Sequence, residues 1–237
     1  MSKKVEIYAL ASLIIFAFYC TLNVGISWDD FYHIDIGNRR LKYLLTFGSF
    51  DDYSGGYADQ KSHPGFYYTL VIFVTKMFPK EFEIQIIHII NFLFSISAIF
   101  GISKISKELF NEKVGKIVFL LCFINPIFFG HMAIDKNGVI VAFSNIWATY
   151  LMIRYLKNQN INEKRNRYAI LGGLIIGLGL SVRIVFLSTL IPIITIFLLD
   201  ILLLKKFANK NFSFNKFFID LSKVFIIAYI IMVSCWP

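Results

Sequence analysis

The sequence predicts an all-α fold, a polytopic bundle of transmembrane helices. Of its 237 residues, 57% are hydrophobic and only 16% are charged, and the mean hydropathy is +0.65. A water-soluble domain of this length needs more charge to cover its surface. Apolar runs recur along the chain, and each crossing of a bilayer takes about 20 apolar residues. Basic residues gather in the short segments between these runs, as is typical of membrane proteins.

Seven apolar runs have the length expected of crossing helices. They lie at residues 6–26, 83–102, 116–131, 139–156, 168–186, 189–204 and 218–236. The first run is longer than the apolar region of a signal peptide, so it predicts an uncleaved anchor helix. A shorter run, 65–78, predicts a helix that dips into the membrane and returns to the same side. No soluble domain or repeat is visible, and residues 1–237 are predicted to form a single transmembrane module.

Charge predicts the orientation of these helices. If the 65–78 run returns and the N-terminus is cytoplasmic, most of the 24 Lys and Arg residues face the cytoplasm, as the positive-inside tendency requires. If that run crossed fully, the basic clusters at 104–116 and 157–167 would face outwards. In the first arrangement most acidic residues are extracytoplasmic, namely Asp29, Asp30, Asp35, Asp51, Asp52, Asp59, Glu81, Glu83 and Asp135. The sequence therefore predicts a multi-pass protein of the cell's inner or plasma membrane.

The first external loop, residues 27–63, is the most informative segment. Asp29 and Asp30 follow the first helix directly, where a carboxylate can accept a proton from a hydroxyl or help to hold a cation. They also fit a solvated turn that caps the following helix. Residues 34–47 mix apolar and basic positions and predict an amphipathic helix in the interface. His63 precedes a proline that fits a first helical turn, which directs it towards the aspartates; an interfacial histidine without a role is the alternative.

Two further groups of polar residues interrupt the apolar runs. His131, Asp135 and Lys136 lie where one helix ends and the next begins. Asp135 fits a helix N-terminus, where its charge favours the helix dipole, and His131 and Lys136 could neutralise a phosphate. Arg183 lies towards the outer end of an otherwise apolar helix, where an ionisable side chain usually faces a cavity or a partner, although it could also reach the interface. The sequence contains no metal-binding pattern of Cys and His and no phosphate-binding glycine loop.

In this order the residues resemble the membrane glycosyltransferases of the GT-C superfamily, and most closely the protein O-mannosyltransferase and aminoarabinose transferase group. Asp29-Asp30 stands where that group has an Asp-Glu pair after its first helix. His63-Pro64-Gly65 stands at its His-Pro-Pro or Lys-Pro-Pro step. Gly130-His131 and Asp135 are similar to its residues before a later helix, and Gly177 to Arg183 is similar to its glycine-rich helix with a basic end.

The resemblance implies sugar transfer from a polyprenyl-phosphate carrier to an acceptor glycan, lipid or protein on the extracytoplasmic side. It implies that Asp29 acts as the base or orients the acceptor, with Asp30 in support. The remaining residues would bind the substrates: Arg183, Lys136 and His131 at the donor phosphate, with His63 and Asp135 shaping the site. The chemistry needs no cofactor beyond the lipid-linked sugar, and a divalent metal is compatible with the carboxylates.

Two other functions stay open on the sequence. A transporter or lipid-binding protein predicts charges at mid-membrane depth and repeated halves, whereas only Arg183 and Asp200 come near mid-span and no repeat is visible. An inactive scaffold is the other alternative, because the family continues with further helices and a large second external loop, a C-terminal part expected to be missing here. Membrane lipid is an expected partner. Nucleic acid is not, because no basic stripe with interleaved aromatics is present.

Overall fold

The structure is a computed structural model that describes residues 3–56, 64–208 and 212–234, with the side chains of residues 3, 28 and 29 left aside. Every regular element in these ranges is helical, which confirms the all-α prediction. The ten α-helices are α1 Lys3–Leu22, α2 Trp28–Leu45, α3 Phe66–Thr75, α4 Glu83–Leu109, α5 Glu112–Ile124, α6 Pro126–His131, α7 Lys136–Lys157, α8 Asn162–Leu180, α9 Phe186–Leu199 and α10 Phe214–Ser234. A 3₁₀ turn, Lys80–Phe82, leads into α4, and a π-helical turn, Asp200–Leu204, extends α9.

Five helical segments of the described chain are long and apolar enough to cross a membrane. They are Lys4–Leu22, Lys80–Leu109, Lys136–Lys157, Phe186–Leu204 and Phe214–Ser234. With 10 residues, α3 is about 15 Å long, half of the roughly 30 Å hydrocarbon core. By length α3 is therefore too short to cross such a core, and its return to the same side of the membrane stays a prediction. Since α8 begins with charged residues, it does not meet the same criterion as the other five.

Two of the predicted runs have different boundaries in the structure. The 116–131 run is divided into α5 and α6, because Pro126 cannot continue a helical hydrogen-bond ladder and the Asn125 side chain accepts the Phe128 backbone N–H at 3.0 Å. The 168–186 run ends early, because the backbone N–H groups of residues 182 and 183 both turn back to the Gly179 carbonyl. Arg183 therefore lies in the turn between α8 and α9, and its predicted place inside a helix was wrong.

The bundle is built around α7, which packs against α4 on one side and α8 on the other. The next layers are α5 and α1 against α4, and α10 against α8. Glycines allow the closest of these contacts: a Cβ added at Gly177 of α8 would lie 2.9 Å from Ile231 and 3.1 Å from Ala228 of α10. Small residues at such positions let membrane helices approach closely.

The two ends of α7 carry different chemistry. Its 22 residues extend about 33 Å, which matches the hydrocarbon thickness of a bilayer. Lys136 is at the first end. At the other end, Arg154 and Lys157 pair with Glu108 of α4 at 2.7 and 2.6 Å. The polar residues near Lys136 are therefore separated from this basic cluster by the membrane-spanning length of one helix.

Helix α2 lies at the Lys136 end of the bundle and packs on α3. It begins at Trp28 rather than at the predicted residue 34, so the two aspartates occupy its first turn. Its buried face includes Ile36, Gly37 and Leu41. A Cβ at Gly37 would lie 2.9 Å from the Tyr68 carbonyl oxygen, so the backbones of α2 and α3 are in close contact and the position of the aspartates depends on α3.

Candidate functional site

The centre of the candidate site is an ion pair between Asp30 of α2 and Lys136 of α7. Only 1% and 4% of these two side chains are exposed. The second Asp30 oxygen accepts the Ser27 backbone N–H at 2.5 Å, which caps the start of α2. The predicted capping role of this acidic turn therefore applies to Asp30, but the carboxylate is buried rather than solvated. A buried charge is tolerated only when it is paired and hydrogen-bonded, and Asp30 meets both conditions.

Aromatic residues enclose this ion pair. The His33 imidazole stacks on the Tyr68 ring, with centroids 4.2 Å apart and planes 10° from parallel, and the Tyr67 ring meets Tyr68 edge-on at 5.8 Å. Together with Lys136 they line a void of only about 10 Å³. The Lys136 side chain is therefore closely confined, and its ammonium group has little freedom to move.

Arg40 is a second buried charge in this region, with 1% exposure. It lies one turn after Ile36 on the buried face of α2, and its guanidinium packs against the backbone of Gly65. A Cβ at Gly65 would lie 1.3 Å from Arg40 Nη1. Burial lowers the pKa of Arg40, while the neighbouring residues Tyr53 and Tyr68 oppose that shift. A side chain larger than glycine at position 65 would therefore displace Arg40.

The other basic residues of α2 are engaged differently. Arg39 donates to Asp35 at 2.9 Å and to Asp52, and these carboxylates, Asp35 first, raise its pKa. Lys42 is exposed, with its ammonium 4.2 Å from the centroid of the Phe50 ring. Of the three basic residues predicted to face the interface, Arg40 is buried, Arg39 is 32% exposed and Lys42 is exposed.

A larger cavity of about 650 Å³ opens between α4, α5, α6 and α7. Most of its lining is apolar, with Ile99 of α4 and Leu121 of α5 among the residues. Its polar lining consists of Asn125, His131 and Asp135. Asp135 caps α7 by accepting the Gly138 backbone N–H at 2.8 Å. The structure thus brings the predicted residues His131 and Asp135 into one amphiphilic cavity, directly beside Lys136 in the chain.

Three predicted site residues remain, namely Asp29, His63 and Arg183. Asp29 lies in the first turn of α2, next to Asp30. His63 lies outside the described residues. Arg183 is exposed and forms no side-chain hydrogen bond or ion pair with the described part of the chain. Its neighbour Val182 packs in one cluster with Tyr67 and Ile140, so Arg183 belongs to the same end of the bundle as Lys136.

Among the buried polar residues that were not predicted, Arg40 and Asn91 lie nearest to the ion pair. Arg40 is four residues after Ile36, which is the helical spacing of one face, so its position on the apolar face could have been noticed in the sequence. Asn91 is a lone amide in the long apolar run of α4 and is fully buried. Polar residues within spans usually face the interior of the bundle, and that rule would have identified Asn91.

Asp200, a charge that the transporter hypothesis would place at mid-span, has a structural role at the end of α9. Its carboxylate accepts the backbone N–H groups of Lys206, Phe207 and Ala208 at 2.9, 3.1 and 2.7 Å. Over the described ranges, no group of three or more His, Cys, Asp or Glu residues is arranged to hold a metal ion.

Comparison with known proteins gives one match. A family model described as dolichyl-phosphate-mannose-protein mannosyltransferase matches residues 62–236. This range includes the cavity, Lys136 and Arg183, and it begins after the aspartates of α2. No curated protein and no solved structure matches the chain.

Proposed function

The chain belongs to the dolichyl-phosphate-mannose-protein mannosyltransferase family, whose members are membrane glycosyltransferases of the GT-C type, and from this premise we propose that it transfers a sugar from a polyprenyl-phosphate carrier to an acceptor. The acceptor is a hydroxyl-bearing glycan, lipid or protein. The reaction takes place at the end of the bundle that carries α2 and the N-terminus of α7. This end faces the extracytoplasmic side.

The observation that carries this proposal is the amphiphilic cavity beside the ion pair. A polyprenyl phosphate has a long hydrocarbon chain and an anionic head. The cavity has an apolar lining from α4, α5 and α7, with His131 and Asp135 among its few polar residues. Its volume, about 650 Å³, lies within the range of small-molecule sites. We propose that the hydrocarbon chain occupies the apolar part and that the phosphate lies near His131.

The residues of α2 supply the chemistry in this proposal. Asp29 accepts the proton of the acceptor hydroxyl or orients that hydroxyl for attack on the sugar. Asp30 supports it by fixing the first turn of α2 to Lys136. Since Lys136 is paired with Asp30, its charge orients α2 as well as contributing to the field at the phosphate. Exposed Arg183 and His131 supply positive charge for the departing lipid phosphate.

The proposed side of the membrane follows from charge. The cluster of Arg154, Lys157 and Glu108 lies at the opposite end of α7 from the ion pair. Basic residues near the ends of spans favour the cytoplasm, so the Lys136 end is extracytoplasmic. The length of α3 supports this arrangement, because a helix that does not cross keeps α2 and the start of α4 on one side.

The test is sugar transfer by the purified chain in lipid vesicles. The donor is radiolabelled dolichyl-phosphate mannose, the substrate in the printed name of the family, and the acceptor is a mixture of hydroxyl-bearing peptides. Loss of the Asp29 carboxylate in Asp29→Asn is expected to lower the rate by about 100-fold or more. Asp51→Asn, an exposed aspartate of the same loop, is the matched control and should transfer at the wild-type rate.

Donor binding provides a second measurement. The Asp29→Asn variant should still retain the labelled donor, because its proposed role concerns the acceptor hydroxyl. Enlarging Leu121 to Trp should reduce donor retention by filling the cavity. Equal transfer by wild type and Asp29→Asn would remove Asp29 from the mechanism. Donor retention unaffected by Leu121→Trp would remove the cavity from it.

A further inference from the structure

Asn91 of α4 connects three elements of the bundle. Its amide oxygen accepts the hydroxyl of Tyr67 in α3, and its amide nitrogen donates to the Ala133 carbonyl at 2.8 Å. Asn91 is 0% exposed and lies inside an apolar span. An amide in such surroundings is costly unless both of its functions are satisfied, and here both are. Asn91 therefore ties α3 to the turn between α6 and α7.

This turn leaves carbonyl groups that no helix can use. Residues 132–134 lie between the end of α6 and the Asp135 cap of α7, so their carbonyls lack regular helical partners. Ser95, one turn after Asn91, donates to the Met132 carbonyl at 3.2 Å. Asn91 donates to the next carbonyl along the chain, that of Ala133. The two side chains of α4 thus fix the path of the backbone directly before Lys136.

The position of Lys136 in turn determines the position of α2. The Ala133 carbonyl is three residues before Lys136, whose ammonium pairs with Asp30 in the first turn of α2. The void around Lys136 is only about 10 Å³ and is lined also by Tyr67, the other partner of Asn91. Because Lys136 is buried and paired with Asp30, a displacement of the turn that moves Lys136 also moves Asp30 and the residue before it.

We infer that Asn91 is a positioning residue for sugar transfer, acting through the Ala133 carbonyl, Lys136 and Asp30 on the place of Asp29. The inference rests on the proposed function, since it assigns Asn91 to the same reaction. Asn91 touches neither substrate. It keeps the first turn of α2 aligned with the start of α7. Asn91 itself does not contact the reacting groups.

The first test separates turnover from donor binding. Asn91→Leu removes both hydrogen bonds while keeping a similar volume, and kcat for transfer is expected to fall about 100-fold, as geometric misplacement can cause. The KM for dolichyl-phosphate mannose should change by less than about threefold, because the cavity lining is untouched. Asn91→Gln, which keeps both amide functions, should recover part of kcat. Tyr67→Phe removes one of the two bonds and should give an intermediate loss.

Asn145→Leu is the matched control. Asn145 is an amide in the apolar span of α7, partly buried, and its side-chain oxygen has no hydrogen-bond partner within the described chain. Its replacement should leave kcat and KM at wild-type values. A similar fall of kcat in Asn145→Leu would overturn the inference, since any lost amide in the bundle would then have the same effect.

The second test needs neither donor nor acceptor. Lys136 is buried, so a membrane-permeant acylating reagent should modify it slowly in wild-type vesicles, with peptide mass spectrometry as the readout. Asn91→Leu should accelerate acylation of Lys136 several-fold without changing that of the exposed Lys42. Unchanged protection of Lys136 overturns the inference even when transfer is lost. If the wild-type protein transfers no sugar, only the proposed function is overturned. The acylation rate of Lys136 in Asn91→Leu then decides whether Asn91 positions Lys136. If Asn91→Leu does not fold, Tyr67→Phe decides both tests.

Discussion

Breaking the ion pair between Asp30 and Lys136 should destabilise the bundle strongly. Both side chains are almost fully buried, and removing one partner of such a pair leaves an uncompensated charge, at a cost of about 3–5 kcal/mol. Lys136→Met leaves the Asp30 carboxylate without its cation. Asp30→Asn removes the negative charge of Asp30 beside the ammonium but keeps an oxygen for the Ser27 N–H. Each single variant should lower Tm by roughly 6–20 °C.

The double variant provides the decisive comparison. Replacing both charges removes the unpaired group, and such replacements are often neutral or stabilising. Asp30→Asn combined with Lys136→Met should therefore be more stable than either single variant. Thermal unfolding of the purified protein in detergent, followed by tryptophan fluorescence, measures all three. Lys116→Met, which breaks an exposed pair with Glu6, is the control and should shift Tm little. Additive losses in the double variant would refute the reasoning.

Three further substitutions test the packing of the fold. Gly177→Leu should lower the free energy of unfolding by about 1–3 kcal/mol through overpacking against α10, while Gly172→Leu, where an added Cβ meets nothing within 4 Å, should be tolerated in the same thermal assay. Gly65→Ala should cost about 1–3 kcal/mol, because the guanidinium of Arg40 must move; the same thermal assay measures this loss. Asp200→Ala should cost about 1–3 kcal/mol by leaving backbone N–H groups buried and unpaired, and cleavage after α9 should become faster. Unchanged Tm in any of these variants would contradict the corresponding contact.

Much of the helical architecture could be predicted from the sequence. The all-α membrane fold follows from apolar runs of bilayer length, because the backbone in lipid must satisfy its own hydrogen bonds locally. A short helix at 65–78 was also predicted, and α3 lies within that run; its return to the same side of the membrane stays a prediction based on charge. The short helix α6 after the break at Pro126 and the end of α8 at Leu180 were not predicted. Both depend on capping and on backbone turns, which a hydropathy pattern does not record.

The candidate site was predictable as a set of residue types but not as an arrangement. Asp30, Lys136, His131 and Asp135 were identified from their places between apolar runs and from the resemblance to the GT-C family. Their division into a buried ion pair and an amphiphilic cavity was not foreseen. Lys136 was expected at the donor phosphate, whereas in the structure its ammonium pairs with Asp30.

The sequence by itself determined the class of the protein, the number of its apolar runs and the segregation of its charges. These properties are local, because each helix must separately match the thickness and dielectric of the bilayer. Only the tertiary structure decided that Asp30 meets Lys136 across 106 residues. It also decided that Asn91 hydrogen-bonds the turn between α6 and α7. Such contacts depend on how α2, α4 and α7 pack together, and no periodicity within one helix specifies the partner that it meets in another.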